Sequence, residues 1–384
     1  MKKIRLTLCF CLLLALLSAP CRALALEPLR DAAIGIAAPS AILMEKSSGQ
    51  VLYEKNADER LPPASVTKVM TLLLIVEDIE AGRLSPDDTV TASARAASFG
   101  GSCVYREEGE RMSVHEMLKC ITVVSANDCA VAMAEHLAGT EALFVERMNE
   151  RAAELGLRNT HFTNCTGLFE DPEHYSSARD IALMSRELIL HPLIKDYSTI
   201  WMDSIRDGSF ELTNTNKLVY WYEGCTGLKT GFTNAAMYCL AATAEREGVE
   251  YIAVVMHGES IDSRNSDAAA LLNYGFSRFT LCPLRPDEPL PALPVELGAA
   301  DRVELRCEGA QSALVPRGGA APDYALSLPE RVTAPVEEGQ VLGTLRVRLG
   351  EEPLAELPVV AAEAVPKIGL GPLYVRLLGS LVGL

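Results

Sequence analysis

The stretch Pro63-Ala64-Ser65-Val66-Thr67-Lys68-Val69-Met70-Thr71 opens a strongly apolar segment that runs to Glu80 and stops before Gly82. Proline before the start and glycine after the end are typical of a helix, so the sequence predicts a helix over residues 64–80. Ser65 and Lys68 lie three residues apart and therefore share one face of it. A serine hydroxyl becomes a good nucleophile when a base takes its proton, and a lysine can be that base once its pKa is lowered. Alone, S-x-x-K is also compatible with an ordinary exposed helix.

A second pattern, Ser125-Ala126-Asn127, lies between two further predicted helices. Its hydroxyl could relay a proton to a leaving group, and its amide could orient a lysine and bind a substrate carbonyl. The alternative is that Ser125 or Asn127 only caps the helix that starts near Asp128.

A third pattern, Lys229-Thr230-Gly231, precedes a predicted strand pair that starts at Met237. A strand edge with a cation, a hydroxyl and a glycine suits an extended peptide that ends in a carboxylate, since glycine leaves room for close approach. Lys229 is also a candidate for the cation that lowers the pKa of Lys68. The alternative for an isolated K-T-G is an exposed turn.

The three patterns, in this order and spacing, are those of the penicillin-recognising serine enzymes. The segments 63–71, 125–128 and 227–233 closely resemble the serine-type D-Ala-D-Ala carboxypeptidases, low-molecular-mass penicillin-binding proteins of the S11 peptidase family. The resemblance covers about residues 38–282.

The resemblance implies a role for each residue of the first two patterns. Ser65 would attack the carbonyl between the two terminal D-alanines of a peptidoglycan stem peptide, with Lys68 as general base. Backbone N–H groups of Ser65 and Phe232 would form the oxyanion hole. Ser125 and the lysines would protonate the departing D-alanine, and Asn127 would hold Lys68 and the substrate amide.

The resemblance also implies a carboxylate-binding group. Lys229, Thr230 and Arg264 would hold the terminal carboxylate beside Gly231, whereas Arg264 could otherwise be a surface cation before a helix. β-Lactam antibiotics are the expected inhibitors, and neither a metal nor a cofactor is implied.

The remaining patterns predict a mixed α/β (α+β) architecture over residues 26–282, and the resemblance implies that it is the penicillin-recognising serine-enzyme fold. Strand patterns lie at 41–45 and 50–53 and again at 237–244 and 251–257, with runs of helices in between. This arrangement predicts one antiparallel sheet flanked by helices.

The C-terminal third has a different composition. Alternating apolar and polar residues at 303–307 and 345–349 predict half-buried strands, and hence a small all-β domain over 283–366 after a linker at 282–294. Residues 367–384 are predicted to be an amphipathic segment that anchors the protein to a membrane surface. A helix from Pro372 onward would be about 20 Å long, too short to cross a bilayer. The alternative is that this segment docks onto the β domain or is frayed.

Residues 1–25 have the features of a signal peptide. Lys2, Lys3 and Arg5 precede the apolar run 6–17, and the small-x-small sequence 23–25 suits cleavage after residue 25. The protein is therefore expected to be exported and to act outside the cytoplasm, at the outer face of the cytoplasmic membrane or in the cell wall.

Charge and cysteine content restrict the partners and the covalent structure. The formal net charge is −16, which argues against nucleic acid as a partner, because its binding needs clustered cations. Eight of the eleven cysteines follow the signal peptide. Buried free thiols are the favoured interpretation, with one or more disulfides as the alternative.

Three other functions share some of these features. A class A-like β-lactamase would need a Glu-x-x-Leu-Asn loop, and neither Glu170 nor Glu173 begins that pattern. A transpeptidase would need an acceptor amine in the cleft, which sequence does not reveal. A non-catalytic cell-wall-binding protein would have no use for the intact motifs.

Overall fold

The computed structural model describes residues 28–30 and 34–382. The chain divides into two compact units, with the division between Arg278 and Phe279, a few residues before the boundary predicted at 282. The predicted signal peptide lies outside the described residues.

The larger unit is built on a six-stranded sheet. In spatial order its strands are Leu29–Arg30, Val51–Lys55, Ser40–Glu45, Val249–Gly258, Met237–Arg246 and Cys225–Thr233. All neighbours pair antiparallel except the first two, which pair parallel. The predicted antiparallel sheet is thus confirmed, with one two-residue parallel strand added at its edge.

Helices account for most of the remaining regular secondary structure of this unit. They are Lys68–Glu80, Ala94–Ala97, Val114–Val123, Asn127–Ala138, Glu141–Glu154, Ala178–Leu190, Lys195–Ser198, Leu218–Trp221 and Ile261–Arg278, with 3₁₀ turns at Ala64–Thr67 and Pro192–Ile194. This unit also contains two small antiparallel strand pairs, Thr89–Thr91 with Arg111–Ser113 and Met202–Ile205 with Phe210–Thr213.

The sheet is covered on both faces, because successive strand residues that point in opposite directions are both buried. Tyr251 and Ile252 are each fully buried. The Tyr251 ring packs against Phe276 of the helix Ile261–Arg278, with 4.9 Å between ring centroids. Ile252 belongs to the apolar core that contains Leu72 of the helix Lys68–Glu80.

The helix predicted over residues 64–80 is confirmed, but its first turn is tighter than an α-helix. The 3₁₀ turn Ala64–Thr67 comes first, with the Val66 N–H donating to Pro63 O at 3.1 Å. Ala64 enters this turn at φ 47°. Because side chains three residues apart nearly eclipse each other in a 3₁₀ turn, the side chains of Ser65 and Lys68 lie on the same side of the turn, one above the other along its axis.

The smaller unit is rich in strands, as predicted. It contains a four-stranded sheet in the order Leu305–Cys307, Glu352–Ala361, Val341–Leu349 and Pro322–Ser327. Smaller sheets pair Phe279–Pro283 with Ser312–Pro316, and Leu293–Glu296 with both Arg302–Val303 and Val332–Thr333. Leu345 and Val347 are buried while Arg346 and Arg348 are exposed, which is the alternation that predicted these strands.

The C-terminal segment forms the helix Leu370–Val382. Arg376 pairs with Asp301 at 2.9 Å, so the helix is tied to the β unit at this point. Leu370 and Tyr374 are exposed. In the described ranges, 28–30 and 34–382, every helix is too short or too polar to span a bilayer.

The cysteines of the described chain are free thiols. Six are buried, and Cys103 and Cys225 are partly exposed. Among these residues the structure therefore agrees with the favoured interpretation rather than with the disulfide alternative.

Candidate active site

The site begins with the contact between Ser65 and Lys68. Lys68 Nζ lies 3.0 Å from Ser65 Oγ. Ser65 is partly exposed, whereas Lys68 is fully buried as the first residue of its α-helix. The structure therefore excludes the alternative of an ordinary exposed helix.

Two further oxygens hold the Lys68 amino group. Asn127 Oδ1 accepts at 2.6 Å, and the Thr166 carbonyl accepts at 3.0 Å. Both are acceptors only. A neutral amine would therefore satisfy them with its two N–H groups and keep its lone pair for the Ser65 hydroxyl.

Burial determines the direction in which the pKa of the Lys68 amine shifts. It lowers the Lys68 pKa to about 7, against the smaller opposing influence of neighbouring groups such as Asp128. Removing an ammonium group from water disfavours its charged form. Lys68 is thus a group that can take up and release a proton near neutral pH.

Asn127 is fixed from several sides. Its backbone N–H donates to Ser102 O at 2.7 Å, and its Nδ2 donates to Gly100 O at 2.8 Å. With Nδ2 committed in this way, Oδ1 faces Lys68. The Asn127 side chain therefore orients the lysine and makes no cap hydrogen bond at the helix Asn127–Ala138.

Ser125 lies two residues before Asn127 in a left-handed conformation, φ 65°. It is buried, and its hydroxyl has no hydrogen-bond partner among the described residues. It does not cap the helix either, because no side-chain cap bond is made there. An unbonded buried hydroxyl is costly, so this one calls for an explanation beyond packing.

The K-T-G pattern lies on Cys225–Thr233, the edge strand of the main sheet, and not in an exposed turn. A Cβ on Gly231 would come 2.7 Å from Pro63 O and 3.1 Å from Ser65 N. The edge strand therefore runs directly against the turn that carries Ser65. Phe232, the next residue, is half exposed and stacks on Tyr238 with 4.5 Å between ring centroids.

Lys229 and Thr230 are both buried. Burial, and then the positive charges of Lys68 and Arg264, lower the Lys229 pKa well below its usual range. Thr230 Oγ1 donates to Thr215 Oγ1 at 2.8 Å.

Arg264 is buried inside the helix Ile261–Arg278, so it is not a surface cation before a helix. Its Nη1 donates to Cys239 O at 3.4 Å, and burial lowers its pKa to about 10. Lys68 and Arg264 thus both disfavour a positive charge on Lys229, and in the described chain none of these three basic side chains is hydrogen-bonded to a carboxylate. Such a group favours an anion.

Sequence patterns missed three neighbours of these residues. Thr166 contributes only a carbonyl, which any residue type could supply. Thr215 holds Thr230 from a loop with no motif of its own. The ring of His174 lies 2.7 Å from Thr67 Oγ1, although more than a hundred residues separate the two along the chain.

One group of side chains has the composition of a metal site. Donor atoms of Glu77, Glu187 and His191 lie within 4.8 Å of one another. Arg151, however, donates to Glu77 at 2.9 Å and to Glu187 at 3.0 Å, and His191 pairs with Glu80. These contacts make the group an ion-pair cluster.

Neither Glu170 nor Glu173, the candidates for the carboxylate that a class A β-lactamase needs, contacts Lys68. Glu170 is exposed, and its Oε1 accepts the Ala235 N–H at 3.1 Å. Glu173 is exposed as well. Within the part of the chain that the structure describes, the hydrogen-bond partners of Lys68 are Ser65, Asn127 and Thr166, and neither glutamate is among them.

The sequence profile of the D-alanyl-D-alanine carboxypeptidases, peptidase family S11, matches residues 27–260. The chain belongs to this family. Residues 284–367 match a second profile, described as the C-terminal domain of penicillin-binding protein 5.

Relatives and solved structures extend the similarity over most of the chain. The D-alanyl-D-alanine carboxypeptidase DacF of Bacillus subtilis (strain 168) is 41% identical over 349 residues, covering 89% of this chain and 90% of DacF. Penicillin-binding protein 5 of Haemophilus influenzae is 29% identical, with a TM-score of 0.72 over 89% of this chain and 100% of that one. Penicillin-binding protein D2 of Listeria monocytogenes, solved in an ampicillin-bound form, is 31% identical, with a TM-score of 0.58 over 63% of this chain and 98% of that one.

The close contact at Gly231 gives a testable expectation. Gly231→Ala places a methyl group against the Pro63 carbonyl and the Ser65 N–H, where neither the edge strand nor the 3₁₀ turn can move freely. We expect the free energy of unfolding to fall by about 1–3 kcal/mol, as is usual for an overpacked site. Gly100→Ala is the control, because a Cβ there meets nothing within 4 Å. Chemical denaturation measures both, and an unchanged Gly231→Ala midpoint would contradict the contact.

Proposed function

We propose that this chain is a serine-type D-alanyl-D-alanine carboxypeptidase that removes the terminal D-alanine from peptidoglycan stem peptides through an acyl-enzyme on Ser65. The observation that carries the proposal is the buried Lys68, whose Nζ lies 3.0 Å from Ser65 Oγ and whose pKa is lowered to about 7. Family membership supports the substrate class.

Acylation starts with proton transfer from Ser65 Oγ to the neutral Lys68 amine. Ser65 Oγ then forms a bond to the carbonyl carbon of the penultimate D-alanine, and the carbonyl oxygen becomes negative. Asn127 Oδ1 and Thr166 O accept hydrogen bonds from Lys68 throughout, so the new ammonium group keeps two partners. Removing the proton while the C–O bond forms is what makes serine an effective nucleophile.

The developing oxyanion is expected between the backbone N–H groups of Ser65 and Phe232. The contact of Gly231 with Ser65 N supports this, because it brings the residue before Phe232 against the nucleophile. Ser65 also lies at the start of a helix, where backbone N–H groups favour negative charge.

The substrate carboxylate is expected to bind Lys229, Thr230 and Arg264. Without it, burial and neighbouring cations favour the neutral form of Lys229. A bound carboxylate reverses that preference, because an opposite charge raises the pKa of an amine. The resulting positive charge on Lys229 in turn disfavours a proton on Lys68. Substrate binding would therefore leave Lys68 ready to act as the base.

The acyl-enzyme forms when the C–N bond of the tetrahedral intermediate breaks and the proton passes from Lys68 to the departing amino group. The Ser125 hydroxyl is the proposed relay for this proton, since it is buried and has no partner in the described chain. Water then attacks the ester carbonyl, the bond to Ser65 Oγ breaks, Ser65 regains its proton, and the shortened peptide leaves as a carboxylic acid. β-Lactams would acylate Ser65 in the same way, and the ampicillin-bound Listeria relative supports such binding.

The other regions would place this chemistry at the cell wall. Residues 1–25 would direct export, 26–282 would form the catalytic domain and 283–366 the β domain. Residues 367–384 would attach the protein to the outer surface of the cytoplasmic membrane. The small charge content of the last helix, with exposed Leu370 and Tyr374, supports this attachment.

The decisive experiment incubates the full-length mature protein with a pentapeptide that ends in D-Ala-D-Ala. We expect mass spectrometry to find a product shorter by one alanine, and a fluorescent penicillin to label the protein covalently. Ser65→Ala should abolish labelling and lower the peptidase rate on the order of 10⁴-fold or more, because it removes the nucleophile. Ser98→Ala is the matched control, since this exposed serine only bonds a carbonyl of its own turn.

Two results would contradict the proposal. Absence of both labelling and alanine release in the unaltered protein would leave no support for an enzyme. Rapid multiple turnover of penicillin would instead indicate a β-lactamase, since the proposed enzyme should hold the penicilloyl group for far longer than the peptide acyl group.

Membrane attachment is tested by deleting residues 367–384. We expect the unaltered protein to sediment with vesicles and the truncated protein to stay in the supernatant, because the exposed apolar side chains of the last helix are lost. Penicillin labelling should be equal in both. Equal sedimentation of the two proteins would remove the anchoring proposal and leave the enzymatic one untouched.

A further inference from the structure

His174 is a buried histidine beside the Ser65–Lys68 turn. Only 3% of its surface is exposed. Its Nδ1 accepts the backbone N–H of Thr163 at 3.1 Å, and its Nε2 lies 2.7 Å from Thr67 Oγ1. Because a backbone N–H can only donate, the ring proton belongs on Nε2, which then donates to Thr67.

The loop that contains Thr163 and His174 also contacts Lys68, the residue after Thr67. Asn164 Oδ1 accepts the N–H groups of Thr166 at 3.1 Å and Gly167 at 2.7 Å. This turn presents the Thr166 carbonyl, which accepts from Lys68 Nζ at 3.0 Å. Two successive helix residues, Thr67 and Lys68, are therefore tied to one loop, the first through His174 and the second directly.

The space between loop and helix leaves little freedom to shift. A Cβ on Gly167 would lie 1.9 Å from Ala64 O and 2.6 Å from Thr67 Oγ1. The His174 ring packs edge-on against the buried Phe162, with 5.8 Å between centroids. The His174 ring therefore contacts the same Thr67 Oγ1 that a Cβ on Gly167 would meet.

We propose that His174 is a positioning residue for acylation: by joining Thr67 to Thr163, it holds Lys68 between the Ser65 hydroxyl and the Thr166 carbonyl. This inference rests on the proposed function, since it assigns His174 to the Ser65 acylation step. Among the described residues, the His174 ring is hydrogen-bonded to neither Ser65 nor Lys68, so it acts on Lys68 through Thr67.

The ring can keep this arrangement across neutral pH. Burial lowers the His174 pKa to about 4, with Asp171 opposing and His161 adding to the effect. A neutral ring keeps Nδ1 as an acceptor for the Thr163 N–H. The hydrogen bonds on both sides of the ring therefore persist where Lys68 is neutral.

The test measures the rate constant of labelling by a fluorescent penicillin in full-length variants. We expect His174→Ala to label about 10- to 100-fold more slowly, because displacement of a reacting group by about 1 Å has an effect of this size. Thr67→Val removes the same hydrogen bond from the other side and should give a similar loss. In the double variant the losses should not multiply, as expected for two residues that share one interaction.

His174→Gln and His136→Ala are the companion variants. The glutamine amide can still donate to Thr67 and should recover part of the rate. His136 is an exposed histidine in the last turn of the helix Asn127–Ala138, at the opposite end from Asn127, so His136→Ala should label at the original rate.

A merely structural role is distinguished by amplitude. Partial misfolding would reduce the fraction of molecules that label and leave the rate constant of the rest unchanged. Three outcomes would overturn the inference. The first is a reduced labelled fraction with an unchanged rate constant, the second is an unaltered rate and amplitude in His174→Ala, and the third is losses that multiply in the double variant. Failure of the unaltered protein to label would overturn the proposed function and this inference together.

Discussion

The burial of one amino group is the constraint on which the rest of the site depends. Lys68 is fully enclosed yet lies within hydrogen-bond distance of Ser65, Asn127 and Thr166. An ammonium group in that position is costly to desolvate, so the protein lowers its pKa instead of pairing it with a carboxylate. A salt bridge here would keep the proton on the lysine and prevent Lys68 from acting as the proposed base.

Three parts of the fold combine to enclose this group. The 3₁₀ turn at Ala64–Thr67 aligns Ser65 with Lys68. The edge strand Cys225–Thr233 packs against this turn at Gly231. The loop around Thr166 covers the Lys68 amino group from another side. The apolar core beneath the helix Lys68–Glu80 keeps these parts from moving apart. Rigid support of this kind is what holds reacting groups at a productive distance.

Much of this arrangement could be predicted from the sequence, because Ser65, Lys68, Asn127 and Gly231 act through side-chain chemistry or the lack of a side chain at recognisable spacing. The carbonyl of Thr166 and the ring of His174 could not, because a backbone oxygen leaves no trace in residue type and the His174 contact joins distant segments. The tight first turn of the helix was also missed, since proline and alanine fit either kind of helix.

The most direct measurement is the titration of Lys68 itself, followed by the ¹⁵Nζ and ¹³Cε NMR shifts of lysine-labelled protein and assigned by the signal that disappears in Lys68→Arg. The account predicts a midpoint near 7, with the neutral amine above it and the cation, unable to accept the Ser65 proton, below it. A midpoint near 10.5, the ordinary value for lysine, would contradict it.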